Sequence, residues 1–229
     1  MRKLVIIVLA FLYSANLVLA ENNGPVTPDN ALQSYLNNGD KSFKWVVQDK
    51  KDADGVTLYR IIFTSQTWRN IVWKHELTLM VPDNLKYKDA LLFITGGSVK
   101  NGEPNIHKWD KDDIVMFSQI AKTNKAIVAI VWQIPNEPLF NDLTEDEIIS
   151  YTFHNFQEDH DYTWPLLFPM VKSAIRAMDA VQEFAKKDLN AKINQFVVSG
   201  ASKRGWTTWL TGASDKRVKA IGPMVISMV

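Results

Sequence analysis

Two kinds of hydrophobic pattern divide this chain. Over residues 43–48, over 56–64, and again through Ile71, Trp73, His75, Leu77 and Leu79, apolar side chains recur at every second position. That period predicts antiparallel strands with one face buried. A turn falls near 67–70, and Pro82 and Asn84 close the run. Residues 90–95 and 126–132 are instead nearly continuous in Ile, Val, Leu and Ala, the composition of strands covered on both faces in a parallel sheet. Between them, Ile114, Val115, Phe117, Ile120 and Ala121 have helical spacing. Strand, helix, strand is the parallel crossover unit.

The rest of the chain extends this pattern. Residues 21–42 are a polar lead-in that turns helical around 32–36. Residues 133–164 form a long excursion with Pro135, Pro138, acidic runs and clustered aromatics, a length more typical of a lid or specificity loop than of a plain connection. Pro165 then opens a helix whose stripe is Val171, Ala174, Ile175, Met178, Val181 and Ala185, running to about Lys187. A buried strand over 196–199, a helix over 203–212 and a last apolar strand over 218–226 complete the pattern. The fold class is therefore α/β, a mostly parallel sheet with antiparallel amino-terminal strands.

Composition adds a destination. Arg2 and Lys3 precede an apolar stretch over residues 5–12, and Val18, Leu19 and Ala20 suit a cleavage site, so residues 1–20 read as an export signal. Tyr13, Ser14 and Asn16 interrupt the run before it is long enough for a membrane anchor. The expected location is the periplasm or outside the cell, with residues 21–229 forming one domain that carries 133–164 as a lid-like insertion. The chain has no cysteine, hence neither disulfides nor thiolate chemistry. Losing the signal removes two of the 26 basic residues and none of the 25 acidic ones, leaving −1. That balance gives no reason to expect nucleic acid or an anionic membrane as partner.

The candidate chemistry lies at Val197-Val198-Ser199-Gly200-Ala201-Ser202-Lys203-Arg204-Gly205. An apolar strand entering a helix through a serine flanked by glycines presents that serine on a sharp turn as a nucleophile. The competing reading is a serine that caps the helix. The position two after Ser202, usually small, is Arg204, and the glycine comes at Gly205. A serine nucleophile needs fixed donors for the oxyanion. Gly97 and Ser98, in the Thr95-Gly96-Gly97-Ser98 turn, and the Lys203 backbone N–H are the candidates. The Lys203 side chain is read either as a solvent-facing cation or as one placed beside the oxyanion or a substrate carboxylate.

The base is missing from its expected place. No histidine follows Ser202, and Asp215 is the one carboxylate side chain after it. His75 reads as structural and His107 as part of a polar loop. His154 and His160 lie in a segment rich in carboxylates, but six apart they do not share a helical face, and no metal or other cofactor is expected.

Taken together, residues 91–97 (LLFITGG), 131–139 (VWQIPNEPL), 162–182 and 196–225 resemble the PhoPQ-activated pathogenicity-related proteins, exported bacterial proteins of the α/β-hydrolase fold. The resemblance implies Ser202 as nucleophile, oxyanion donors near Gly97 and Lys203, and an acid and histidine farther along than Val229. The serine motif is also similar to that of glucuronoyl esterases, in which a cation close after the serine assists the oxyanion. On this reading the chain is the amino-terminal portion of an exported serine hydrolase, truncated after the strand that follows the nucleophile. Its substrate would be a small-molecule, carbohydrate or peptide ester or amide, and this short form would be inactive. The alternative is a secreted, non-catalytic binding protein on the same scaffold.

Overall fold

A computed structural model describes residues 25–226; the expected export signal lies outside them. After the short helix α1 (Ala31–Leu36), three strands β1 (Lys44–Ala53), β2 (Val56–Trp68) and β3 (Ile71–Pro82) form an antiparallel meander. Arg69 and Asn70, both with positive φ (51° and 62°), make the two-residue turn between β2 and β3. Next come β4 (Asp89–Ile94), the small hairpin β5 (Val99–Lys100) and β6 (Glu103–Pro104), α2 (Asp112–Asn124) and β7 (Val128–Val131). The chain ends with α3 (Glu145–Asp159), α4 (Leu167–Asp188), β8 (Gln195–Ala201), α5 (Lys203–Ser214) and β9 (Val218–Met224).

Seven strands form one sheet in the order β1-β2-β3-β7-β4-β8-β9. It is antiparallel from β1 to β7 and parallel from β7 to β9. From β4 the chain crosses through α2 to β7 on one side; from β8 it crosses through α5 to β9 on the other. Right-handed crossovers in opposite directions put their helices on opposite faces. Accordingly α2 packs Ile114, Phe117 and Ala121 against Met80, Val128 and Ile130. On the other face α4 packs Met170, Ala174, Met178 and Val181 among Leu77, Leu92, Val131 and Val198, and α5 packs against α4. The crossovers thus part in opposite directions at β4 and β8, and the carboxyl ends of strands at such a switch point are where open α/β sheets bind ligands.

The alternating strands differ from the expectation of one buried face. In β3, Glu76 and Thr78 are as buried as Leu77 and Leu79, because the segment after β6 reaches Glu76 and the Trp132 indole donates to Thr78 Oγ1 at 3.0 Å. Glu76 accepts from Arg60 Nε (3.1 Å), from the His107 backbone N–H (2.9 Å) and from His107 Nδ1 (2.8 Å), and His107 stacks on Trp132 at 3.8 Å. A buried charge is tolerated only with such partners.

His75 is structural, as its strand position suggested. A register shift between Thr64 and Gln66 leaves Ser65 as the extra residue of a bulge. Its hydroxyl meets His75 Nε2 and Ser173 Oγ, each at 2.9 Å, while His75 Nδ1 lies 3.1 Å from the Trp132 carbonyl. Complete burial pushes the imidazole down from 6.5 to about 4. Between those values the unfolded chain binds a proton that the native chain does not, so stability is lost as pH falls. The slope should be about 1.4 kcal/mol per pH unit. His75→Gln should flatten that part of the profile, read from urea midpoints; an unchanged slope would assign the loss to other groups.

Candidate active site at the carboxyl ends of β4 and β8

Ser202 joins β8 to α5 with φ 57° and ψ −129°, a strained backbone for a residue with a Cβ. Its side chain is exposed, whereas Lys203, Arg204 and Gly205 are buried. Its carbonyl accepts the Gly205 N–H at 2.7 Å and its own N–H donates to Met224 O at 2.9 Å. The hydroxyl does not cap α5, which removes the helix-capping alternative. Two glycines enforce the turn. A methyl at Gly200 would lie 2.8 Å from the Arg204 carbonyl oxygen and 3.0 Å from that of Ile94; one at Gly205 would lie 2.9 Å from the Met224 oxygen. Gly205 thus takes the close helix-to-sheet contact, which frees position 204 for a large side chain.

Gly97 and Ser98 follow β4, the neighbour of β8, at the same end of the sheet. The flanking N–H groups are engaged, Thr95 to Val131 O at 3.0 Å and Val99 to Glu137 O at 2.7 Å. Those of Gly97 and Ser98 make no hydrogen bond among the described residues. Gly97 has φ 137°, open to glycine and rarely to other residues. The Lys203 N–H heads α5, in the first turn, where backbone donors lack an intrahelical acceptor. The sequence-predicted residues Ser202, Gly97, Ser98 and Lys203 thus all lie at the ends of two adjacent strands.

The Lys203 side chain departs from both expectations. It is buried, with Nζ paired to Glu145 and, at 3.0 Å, to Asp146. Arg204 is buried beside it, with Nε donating to the Ile134 carbonyl and the Nη atoms to Glu145 at 3.2 and 3.3 Å. Glu137 Oε1 stands 3.7 Å from Nη2, and Glu137 Oε2 accepts the Glu145 N–H at 2.7 Å. Burial pushes the Glu137 carboxyl up. Burial acts the same way on Glu145, but hydrogen bonds from Lys203 and Arg204 overcome it and hold that carboxyl at about 2.

Glu137 and Glu145 belong to the stretch expected as a lid. Its first part is core: residues 133–137 are buried, with Gln133 donating its N–H to Gly96 O at 3.1 Å. Its second part is α3, begun by a capping box of Thr144 and Glu147. Local patterning missed Arg204, Glu137, Glu145 and Gln133. The available signal was arginine where a small residue is usual.

The remaining candidates lie elsewhere. Among the described residues no side chain hydrogen-bonds the Ser202 hydroxyl. His75 and His107 are bound within the core network, His154 is on α3 and His160 caps its carboxyl end. Asp215, past the far end of α5, pairs with Arg217 at 2.6 Å.

A family model described as PhoPQ-activated pathogenicity-related protein matches residues 32–229. The chain is 34% identical over 209 residues to autocrine proliferation repressor protein A of Dictyostelium discoideum, covering 86% of this chain and 41% of that protein. Among solved structures it is similar to acetyl xylan esterase 1 of a Thermoanaerobacterium species, with TM-score 0.56 and 13% identity over 87% of this chain and 58% of that one. It is also similar to a glucuronoyl esterase of Solibacter usitatus, with TM-score 0.51 and 15% identity over 84% and 56%. The chain thus spans about half the length of the proteins it matches, and these structures share its α/β-hydrolase-like fold.

Lys203→Met should lower stability by about 1–3 kcal/mol above pH 4.5, the ordinary value for Glu145. As pH falls from 4.5 toward 2, Glu145 protonates and the difference from the parent chain should shrink. Denaturation at neutral and acid pH reads both; a constant difference would detach Lys203 from Glu145.

Proposed function

Because this chain belongs to the PhoPQ-activated pathogenicity-related family, we propose that Ser202 is the nucleophile of an exported serine hydrolase acting on esters or amides. The observation that carries the reading is the strained, exposed, non-capping Ser202 at the end of β8, with N–H groups of Gly97 and Ser98 that make no hydrogen bond among the described residues just past the end of the adjacent strand β4. In the reaction, Ser202 Oγ bonds to the acyl carbon and gives its proton to a general base. The carbonyl electron pair moves to oxygen, where the N–H groups of Gly97, Ser98 and Lys203 stabilise it. Collapse breaks the bond to the leaving alcohol or amine, which takes the proton from the base, and water repeats the sequence to release the acid.

The base and its acid are taken to follow Ser202 in the family order, beyond Val229, as in other hydrolases of this fold. On this reading the 229-residue chain alone is inactive or nearly so, since loss of triad members costs about 10⁴ to 10⁶ in rate. The names of the esterases similar in fold suggest carbohydrate esters as the first substrates to try. Residues 1–20 would direct the protein to the periplasm or beyond.

The second reading is a secreted binding protein on this scaffold. It is favoured by the curated relative, whose name is that of a proliferation repressor and not of an enzyme.

A fluorophosphonate probe applied to the family-length protein should label it, and Ser202→Ala should abolish the label. Labelling that survives the substitution would end the nucleophile assignment. No labelling of the parent would favour the binding reading.

A further inference from the structure

We propose that Arg204 is a positioning residue: its guanidinium braces the Gly96–Gly97 loop from behind and thereby fixes the N–H groups offered beside Ser202. The proposal rests on the reading of Ser202 as nucleophile and adds a residue that works through the loop without touching substrate.

The geometry is that of a brace. The position a Cβ would occupy on Gly96 lies 2.6 Å from Arg204 Nη2 and 3.1 Å from Cζ, so the guanidinium presses where the glycine has no side chain. The same cation donates to the Ile134 carbonyl and to Glu145, with Glu137 alongside. Ile134 and Glu137 belong to the segment hydrogen-bonded to the loop, by Gln133 N–H to Gly96 O and Ile134 N–H to Thr95 O, each at 3.1 Å, and by Val99 N–H to Glu137 O at 2.7 Å; Glu145 is tied to that segment through its N–H to Glu137 Oε2 at 2.7 Å. On its other side the loop meets Gln133, whose Nε2 lies 3.1 Å from the Cβ position of Gly97. Gln133 is itself fixed by the Glu76 N–H at 2.9 Å and by the Asn105 carbonyl at 3.2 Å. The loop is thus held between two buried polar side chains, one reached from the Ser202 turn and one from β7.

Arginine suits this task and lysine does not. Its planar fork has five donors that can meet the Ile134 carbonyl and Glu145 together while its face lies on a glycine. The adjacent Lys203, a point charge, turns to the amino end of α3 instead. Arg204 is 8% exposed, its guanidinium enclosed by the groups it braces. This is a different role from a cation aimed at the oxyanion.

Amide hydrogen exchange on the 229-residue chain tests the brace directly, read at Thr95, Val99, Gln133 and Ile134, whose N–H groups bond across the loop. Arg204→Ala should raise their exchange by about tenfold or more while leaving Leu77 and Leu79 of β3 unchanged. Millimolar guanidinium should restore protection by refilling the site, whereas ammonium should not, a rescue that general destabilisation would not show. If Arg204→Ala does not fold, Gly96→Ala must give the same loop-selective increase, because its methyl displaces the guanidinium. Unchanged loop exchange in the folded variant overturns the proposal. So does a loss of Ser202 labelling in the family-length protein without any change in the loop, which would mean that Arg204 acts on the reacting atoms. Loop exchange that responds in a protein whose Ser202 never labels would sink the nucleophile reading and leave the brace standing.

Discussion

The candidate site depends on how closely the backbone of α5 approaches that of β8. At Gly200 the helix, the neighbouring strand β4 and the turn converge so tightly that even a methyl group would overlap carbonyl oxygens at 2.8 and 3.0 Å. At Gly205 the same helix leans on the chain leaving β9. Between these contacts the chain has one residue in which to reverse from strand to helix, and Ser202 absorbs the change in a positive-φ conformation. The strain follows from packing. It also ensures that the hydroxyl stands clear of the helix and does not fold back onto it as a cap.

That close approach makes the charge arrangement around the turn necessary. With Gly205 providing the contact, Lys203 and Arg204 must leave the turn sideways into protein, where an unpaired cation would be costly. The acidic positions Glu137, Glu145 and Asp146 supply the counter-charge, and the capping box seats the helix that carries two of them. Acidic residues also suit the amino end of a helix electrostatically. The turn, the loop after β4 and the start of α3 are consequently one electrostatic unit built from three distant stretches of sequence.

Much of the frame was legible before the structure. Period-two alternation located β2 and β3, continuous Ile and Val runs located β4 and β7, and the serine between glycines located the turn. The losses share a cause: each concerned a polar residue whose partner is remote in sequence. The burial of Glu76 and Thr78 was hidden because alternation cannot reveal that the segment carrying His107 reaches Glu76 and that Trp132 covers Thr78. The burial of Lys203 and Arg204 was not foreseen because their carboxylates lie about sixty residues upstream. Helix α3 buries Ile148 and Thr152, too narrow an apolar stripe to be seen by periodicity.

The insertion of β8 between β4 and β9 bears on the order in which the molecule acquires its structure. Its partner Asp89 stands opposite Gln195, a pairing of high sequence separation whose loop entropy must be met before the contact returns any energy. The antiparallel meander and the β4-α2-β7 unit, by contrast, close between near neighbours. The distorted backbone at Ser202 thus depends on β8 docking against β4, a partner remote in sequence, and not on local preference. A conformation that local sequence would not choose is thereby imposed by a remote template, and lasts as long as that template holds.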